Sequence, residues 1–204
     1  MPQIIEWTNP AENAIVYRYP SEDITWGAQL IVHEYETAVF FRDGKAYDVF
    51  GPGRHTLTTL NLPLLTRLFT AIAGYGQRPF KATVIFVSTK VNAGKFGTRA
   101  QTTELAPLQV FGTFWFKVED PQLFVMEVVG GQNAYTADQV DNYLRGFLNE
   151  KIIDELSRYD LLTVFTRLDE TSVTTKNAIL ESFRRIGLDL TDLRFEGIAT
   201  TPEY

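Results

Sequence analysis

The stretch FFRDGKAYDVFGPGRHTLTTLNLP, Phe40 to Pro63, holds a glycine-flanked proline followed directly by arginine and histidine. Two readings compete for it: a loop that cradles a phosphate, or a turn that only redirects the chain. A phosphate loop needs glycines that run straight into a helix N-terminus, usually with Lys-Ser/Thr behind them. Here Thr56, Leu57, Thr58 and Thr59 favour extended chain, and Pro63 follows. Proline presets φ at about −65° and the next glycine accepts a positive φ, the demand of a type II turn. Gly51, Pro52 and Gly53 are therefore read as a structural turn. The same objection removes AGYGQRP, Ala73 to Pro79.

Outward from this turn, the first half of the chain reads as strands. Ala28 to Glu34 and Thr37 to Arg42 are rich in Val, Ile and Phe, and Asp43-Gly44 suits a tight hairpin before Ala46 to Phe50. Lys81 to Val91 and Leu108 to Val118 read as two more, the second carrying the aromatic run Phe111, Phe114, Trp115, Phe116. Glu119-Asp120-Pro121 then marks a helix start with proline in the first turn.

The second half changes period. Val140, Leu144, Phe147, Leu148, Ile152 and Leu156 fall on one helical face between Ala137 and Tyr159. A further helix is expected to begin at Thr166, which stands with Asp169 in capping-box spacing. Its expected buried stripe is Val173, Leu180, Phe183 and Ile186, and Gly187 is placed to end it. Leu188, Leu190, Leu193, Phe195 and Ile198 alternate as a closing strand. Strands, then helices, then one strand indicate an α+β fold. Residues 1–25 are read as an N-terminal arm and 26–202 as the domain.

Composition narrows the function. The chain has 204 residues, 45% hydrophobic and 22% charged, with a net charge of −6. An acidic balance argues against nucleic acid as partner, because phosphate binding wants a basic face. There is no cysteine, so neither disulfides nor thiolate chemistry can arise within this chain. No basic start leads into an apolar run as in a signal peptide, and no apolar stretch reaches the about 20 residues that span a bilayer.

Catalytic motifs fail one by one. His33-Glu34 begins like HExxH, but Thr37 stands where the second histidine belongs, and the segment reads as a strand. Besides it only His55 is available, and no serine lies in a GxSxG elbow. The chain is read as a non-enzyme, with no cofactor and no metal. One apolar group stands out: Leu65, Leu68, Phe69 and Ile72 recur at i, i+3, i+4 and i+7. This is either a face that meets a membrane surface or a partner, or the buried side of a helix packed on the core.

The stretches ETAVFFRDGKAYDVFGPGRHTL, LQVFGTFWFKVEDPQLFV and AILESFRRIGLDLTDLRFEGIATTPEY together resemble the SPFH domain, named for stomatin, prohibitin, flotillin and the HflK/C proteins and also called band seven. In that family the first is a hairpin leading to a Gly-Pro-Gly turn. The second is a strand with an Asp-Pro helix start, and the third a helix ended by an apolar-Gly pair, here Ile186-Gly187, before the closing strand. IIEW and YPSEDITWGAQLIV are similar to the prokaryotic branch without a membrane anchor, often labelled virion core protein-like. Two features depart from the pattern. Leu62 to Pro79 is expanded relative to stomatin, and the chain stops at Tyr204, where relatives continue into a coiled coil and a zinc ribbon, so truncation is expected. The resemblance implies a non-enzymatic scaffold that forms homo-oligomers in the cytoplasm, peripheral at the inner face of the membrane, and takes a phage-shock-type membrane-remodelling protein as partner. The alternative is a soluble protein- or ligand-binding module without membrane contact.

Overall fold

The structure, a computed structural model, describes residues 1–11, 14–70, 80–130 and 136–200. In chain order it begins with β1 (Ile4–Glu6), β2 (Val16–Arg18), β3 (Asp23–Ile24) and β4 (Gln29–Val32). Next come β5 (Glu36–Arg42), β6 (Lys45–Phe50), β7 (Gly53–Thr56) and α1 (Pro63–Thr70). β8 (Phe80–Lys81), β9 (Thr83–Ser88), β10 (Asn92–Gln101) and β11 (Pro107–Val118) precede α2 (Pro121–Phe124), which runs into a π-helical stretch, Val125–Gly130. α3 (Ala137–Leu156), α4 (Leu161–Thr166), α5 (Leu168–Arg184) and β12 (Leu188–Thr200) complete the chain. The fold is α+β with antiparallel sheets and a closing strand, as the sequence indicates. It divides into two compact units, Met1–Lys90 with Asp120–Val140, and Val91–Glu119 with Asp141–Tyr204.

The first unit is built on the order β2-β9-β5-β6, with β5 antiparallel to both of its neighbours. Asp43 and Gly44 have φ of 51° and 78°, both positive as a type I′ hairpin turn requires. A second sheet, β1-β4-β7, pairs β1 parallel to β4. Residues 1–25, read as an N-terminal arm, supply β1, β2 and β3. Gln3 ties the segment down: its Nε2 donates to the Asp23 carbonyl at 3.0 Å and its Oε1 accepts the Thr25 N–H at 2.9 Å. The core gathers Ile5, Leu30, Phe40, Phe86, Leu62 and Leu65, each fully buried. At the start of α2, Asp120 Oδ1 accepts the Leu123 N–H at 3.1 Å and Pro121 opens the helix, as the sequence predicts.

The second unit is the antiparallel sheet β10-β11-β12, with α5 packed against β12. α3 buries Leu144, Leu148, Ile152 and Leu156, the expected stripe, with Phe147 half-buried 5.6 Å from the Phe183 ring. α5 departs from expectation. Thr166 belongs to α4, its hydroxyl donating to the Leu162 carbonyl at 2.6 Å, and α5 starts at Leu168 without a side-chain cap. Val173 is 59% exposed, while Thr171, Ser172, Thr175, Ile179 and Phe183 form the buried stripe. A stripe half made of small hydroxyl residues escapes a search for apolar periodicity. The sheet also contains a strand the sequence does not announce, β10, which follows the predicted strand Lys81 to Val91. Its two glycines, Gly94 and Gly97, mask it, and at Gly94 an aromatic ring supplies the missing bulk: a Cβ there would lie 2.6 Å from the Phe114 ring. On β12 Gly197 is filled in the same way, its added Cβ 2.2 Å from the Phe111 ring.

The tightest point is Gly112, beside a register shift, where a Cβ would lie 2.0 Å from the Arg194 carbonyl oxygen. Backbone cannot yield as a side chain can, so Gly112→Ala should cost about 3 kcal/mol. Gly146, inside α3 with nothing within 4 Å of its added Cβ, serves as the opposite case. Gly146→Ala should stabilise by about 0.5–1 kcal/mol through helix propensity. Urea denaturation followed by circular dichroism checks both signs, and equal midpoints would mean that the β11–β12 approach is not a constraint.

Candidate functional site

α1 and the loop that leads into it form the site, and its geometry starts from a strand. Asp48 on β6 is buried at 6% exposure, yet its carboxylate has two partners. Oδ1 accepts the Leu64 N–H at 3.2 Å and Oδ2 the Leu65 N–H at 2.9 Å. Those N–H groups belong to the first turn of α1, where no intrahelical acceptor exists, and α1 has no acidic residue of its own there. Pro63, first in the helix, has no N–H to satisfy. The cap is therefore tertiary, supplied from outside the helix.

The approach to α1 is equally ordered. Asn61 Oδ1 accepts the Thr58 N–H at 2.9 Å, and its Nδ2 donates to the Thr56 carbonyl at 2.7 Å. The Leu60 N–H donates to the Thr58 hydroxyl at 3.3 Å. This bonded turn leaves Leu60 89% exposed, while Leu62 is fully buried. One turn later Leu64 is 44% exposed and Leu65 fully buried. Of the apolar set chosen from the sequence, Leu65 thus lies in the core. Leu68 and Phe69 belong to α1, and Ile72 lies outside the described residues. Leu60 and Leu64 are exposed apolar residues beside that set, and sequence reasoning missed them. Their signal is the leucine density of LNLPLL, read without regard to period.

Gly51, Pro52 and Gly53 turn β6 into β7, which pairs with β4. Gly53 has a φ of 140°, open to glycine. The His55 Nε2 donates to the Gly51 carbonyl at 2.9 Å, which assigns the ring proton to Nε2. The same ring lies 4.9 Å from that of Phe50, so His55 closes the turn over the core. His33 works locally too. Its Nε2 meets Glu6 Oε2 at 2.6 Å, and its N–H donates to Glu36 Oε1 at 3.2 Å. Glu36 is buried, which pushes its carboxyl above the ordinary value of 4.5, against the lowering pull of the His33 N–H. Among the described residues no group of three or more His, Asp or Glu side chains is placed to hold a metal ion.

The second unit has a half-open cleft of about 770 Å³ between the end of its sheet and α3, lined by Ala100, Leu108, Ile153 and Ser157 among others. Arg99 is the one charged residue among its described lining residues, so the cleft presents no acid–base pair.

With these features in place, comparison with known proteins is decisive at one level. This chain belongs to the SPFH domain-Band 7 family, whose model matches residues 16–203. It is also similar to the uncharacterized protein YdjI of Bacillus subtilis (strain 168), with 24% identity over 163 residues. That alignment covers 76% of this chain and 50% of YdjI, so the chain spans about half the length of this relative. Family membership supports a scaffold-type, non-enzymatic role. Among the described residues no helix is long and apolar enough to cross a membrane.

Two measurements probe the site. Asp48→Ala leaves two N–H groups of α1 facing the core without an acceptor and should lower stability by about 3 kcal/mol, with Asp48→Asn recovering part of it. Unchanged urea midpoints would show that apolar packing alone holds α1. For Glu36 the sign follows from burial. The folded state holds its proton more tightly than the unfolded chain, so stability falls as pH rises from 4.5 through the folded value. Glu36→Gln keeps an oxygen for the His33 N–H and removes the buried charge. At pH 7 the variant should melt above the parent, and the gap should close as pH falls to 4.5. A gap that widened on acidification would reverse the assignment.

Proposed function

We propose that this chain is a scaffold module that assembles with copies of itself and acts at a membrane surface through protein partners. The observation that carries the membrane part is the pair Leu60 and Leu64, exposed at the head of α1 beside the buried Leu62 and Leu65. Leu60 and Leu64 stand one turn apart, and a lipid or protein surface that covers the pair recovers apolar burial. With a net charge of −6, attraction to anionic lipid is weak, so contact rests on apolar area. In this reading the protein is cytoplasmic and peripheral at the inner face of the membrane, and a phage-shock-type membrane-remodelling protein is one partner. Self-assembly comes from the family resemblance and from the multivalency that weak apolar contact needs.

Liposome flotation tests the proposal directly. The parent chain should float with vesicles of phosphatidylethanolamine and phosphatidylglycerol, and the bound fraction should rise more steeply than protein concentration. Leu60→Ser with Leu64→Ser should abolish flotation at an unchanged melting temperature, because both side chains are exposed. Leu65→Ser should instead lower stability by about 2–5 kcal/mol, as a core truncation does, and the melting temperature with it. A parent that does not float, or a double variant that floats equally, would overturn the membrane reading and leave a soluble binding module.

A further inference from the structure

The two edges of the second unit's sheet are not alike. β12 is dressed. Two register shifts interrupt its pairing with β11, the Leu193 N–H donates to Asp192 Oδ1 at 2.9 Å, and the Phe195 N–H donates to Ser172 Oγ at 3.4 Å. β10 is bare. Its register with β11 runs unbroken from Asn92↔Phe116 to Gln101↔Pro107. Among the described residues no backbone group from Ala93 to Gln101 is bonded to anything beyond β11. In an antiparallel edge strand every second residue turns its N–H and C=O outward, so β10 offers a regular row of unpaired donors and acceptors. Ala93, Lys95, Gly97, Arg99 and Gln101 are exposed along it, and Gly97 leaves the backbone open to close approach.

Charge selects what can fill that row. β10, NAGKFGTRAQ, contains Lys95 and Arg99 and no acid. Lys95 meets Glu196 only at 3.7 Å with both side chains exposed, a pair worth little. Arg99 has no ion pair among the described residues. Two β10 edges meeting antiparallel about Gly97 would set Lys95 of each copy against Arg99 of the other, which is unfavourable. We infer that the free edge of β10 binds an extended, acidic segment of a partner protein, which adds a fourth strand and sets carboxylates about 13 Å apart against Lys95 and Arg99. The chain's net charge of −6 repels such a segment little, because physiological salt screens charges further apart than about 8 Å and leaves Lys95 and Arg99 to decide at contact. This inference goes beyond the scaffold reading and needs no membrane.

The test uses the full chain and a soluble ten-residue peptide of alternating Thr and Val with Glu at two positions four apart. Its Lys counterpart, and two Glu peptides N-methylated on either set of alternate nitrogens, serve as controls. The Glu peptide should slow amide hydrogen exchange within Ala93–Gln101. One N-methylated version should lose binding, since its charge is intact but one edge can no longer pair. Lys95→Glu with Arg99→Glu should weaken Glu-peptide binding by about tenfold or more and transfer binding to the Lys peptide. Binding that survives both methylations, or no change in exchange at saturating Glu peptide, would overturn the inference. So would a peptide-free dimer in sedimentation that already protects these amides, because a second copy would then own the edge.

Discussion

A carboxylate sits inside the hydrophobic core of the first unit, and the candidate surface depends on it. Burying a charge costs several kcal/mol unless hydrogen bonds replace water, roughly in proportion to how many are supplied. Asp48 has two, both from the first turn of α1, and that turn in turn has no other acceptor for those N–H groups. Each side leaves the other without an alternative. Strand β6 therefore fixes where α1 begins, and once the start is fixed, helical geometry fixes the rest: Leu62 and Leu65 go inward and Leu64 outward. The Gly-Pro-Gly turn belongs to the same device. It sends the chain from β6 into β7 so that Thr56 and Asn61 can build the turn on which Leu60 stands.

The second unit solves a different problem, a three-stranded sheet laced with glycine. Gly94, Gly112 and Gly197 weaken strands in principle, since they add backbone entropy and remove side-chain packing. Here each is filled from a neighbouring strand. Phe114 covers Gly94, Phe111 covers Gly197, and at Gly112 the Arg194 carbonyl takes the space of a Cβ. The close approach at Gly112 sits at a register shift, and such shifts bend and twist the strand that carries them. That is how β12 becomes irregular while β10, paired on the other side of β11, stays regular. Of the two shifts, the one at Phe111/Gly112 thus follows from the glycine beside it.

Legibility in the sequence divides along the same physical line. Local chemistry was readable: Asp43-Gly44 as a hairpin turn, Asp120-Pro121 as a helix start, the four-residue period of α3, the alternation of β12. Features fixed by partners distant in sequence were not. β10 carries Gly94 and Gly97, and the bulk missing at Gly94 comes from Phe114 on another strand, so its own composition resembles a loop. The buried face of α5 contains Thr171, Ser172 and Thr175, and an apolar count passes over it. β1 pairs with β4 across more than twenty residues, which no local pattern encodes. The candidate site shows both cases at once. Helical periodicity found α1, and Leu65 of its set lies in the core, as the core-packed reading expects. The exposure of Leu60 and Leu64 depends on Asn61 and Asp48, which act through side-chain bonds that periodicity does not see.

The size of the exposed apolar surface links the two halves of the scaffold reading. Fully burying a leucine side chain contributes about 1.5–3 kcal/mol, and Leu64 is already more than half covered. One module therefore gains a few kcal/mol from the pair at most. Association of a free protein first has to offset several kcal/mol of lost translational and rotational freedom, on the order of 4 or more. A single copy would come and go. Several copies held together change the arithmetic, because once one is seated the others bind at an effective concentration set by the assembly. Weak apolar contact and self-assembly are thus one requirement in this reading: a module that offers a bilayer Leu60 and Leu64 works there as part of an array.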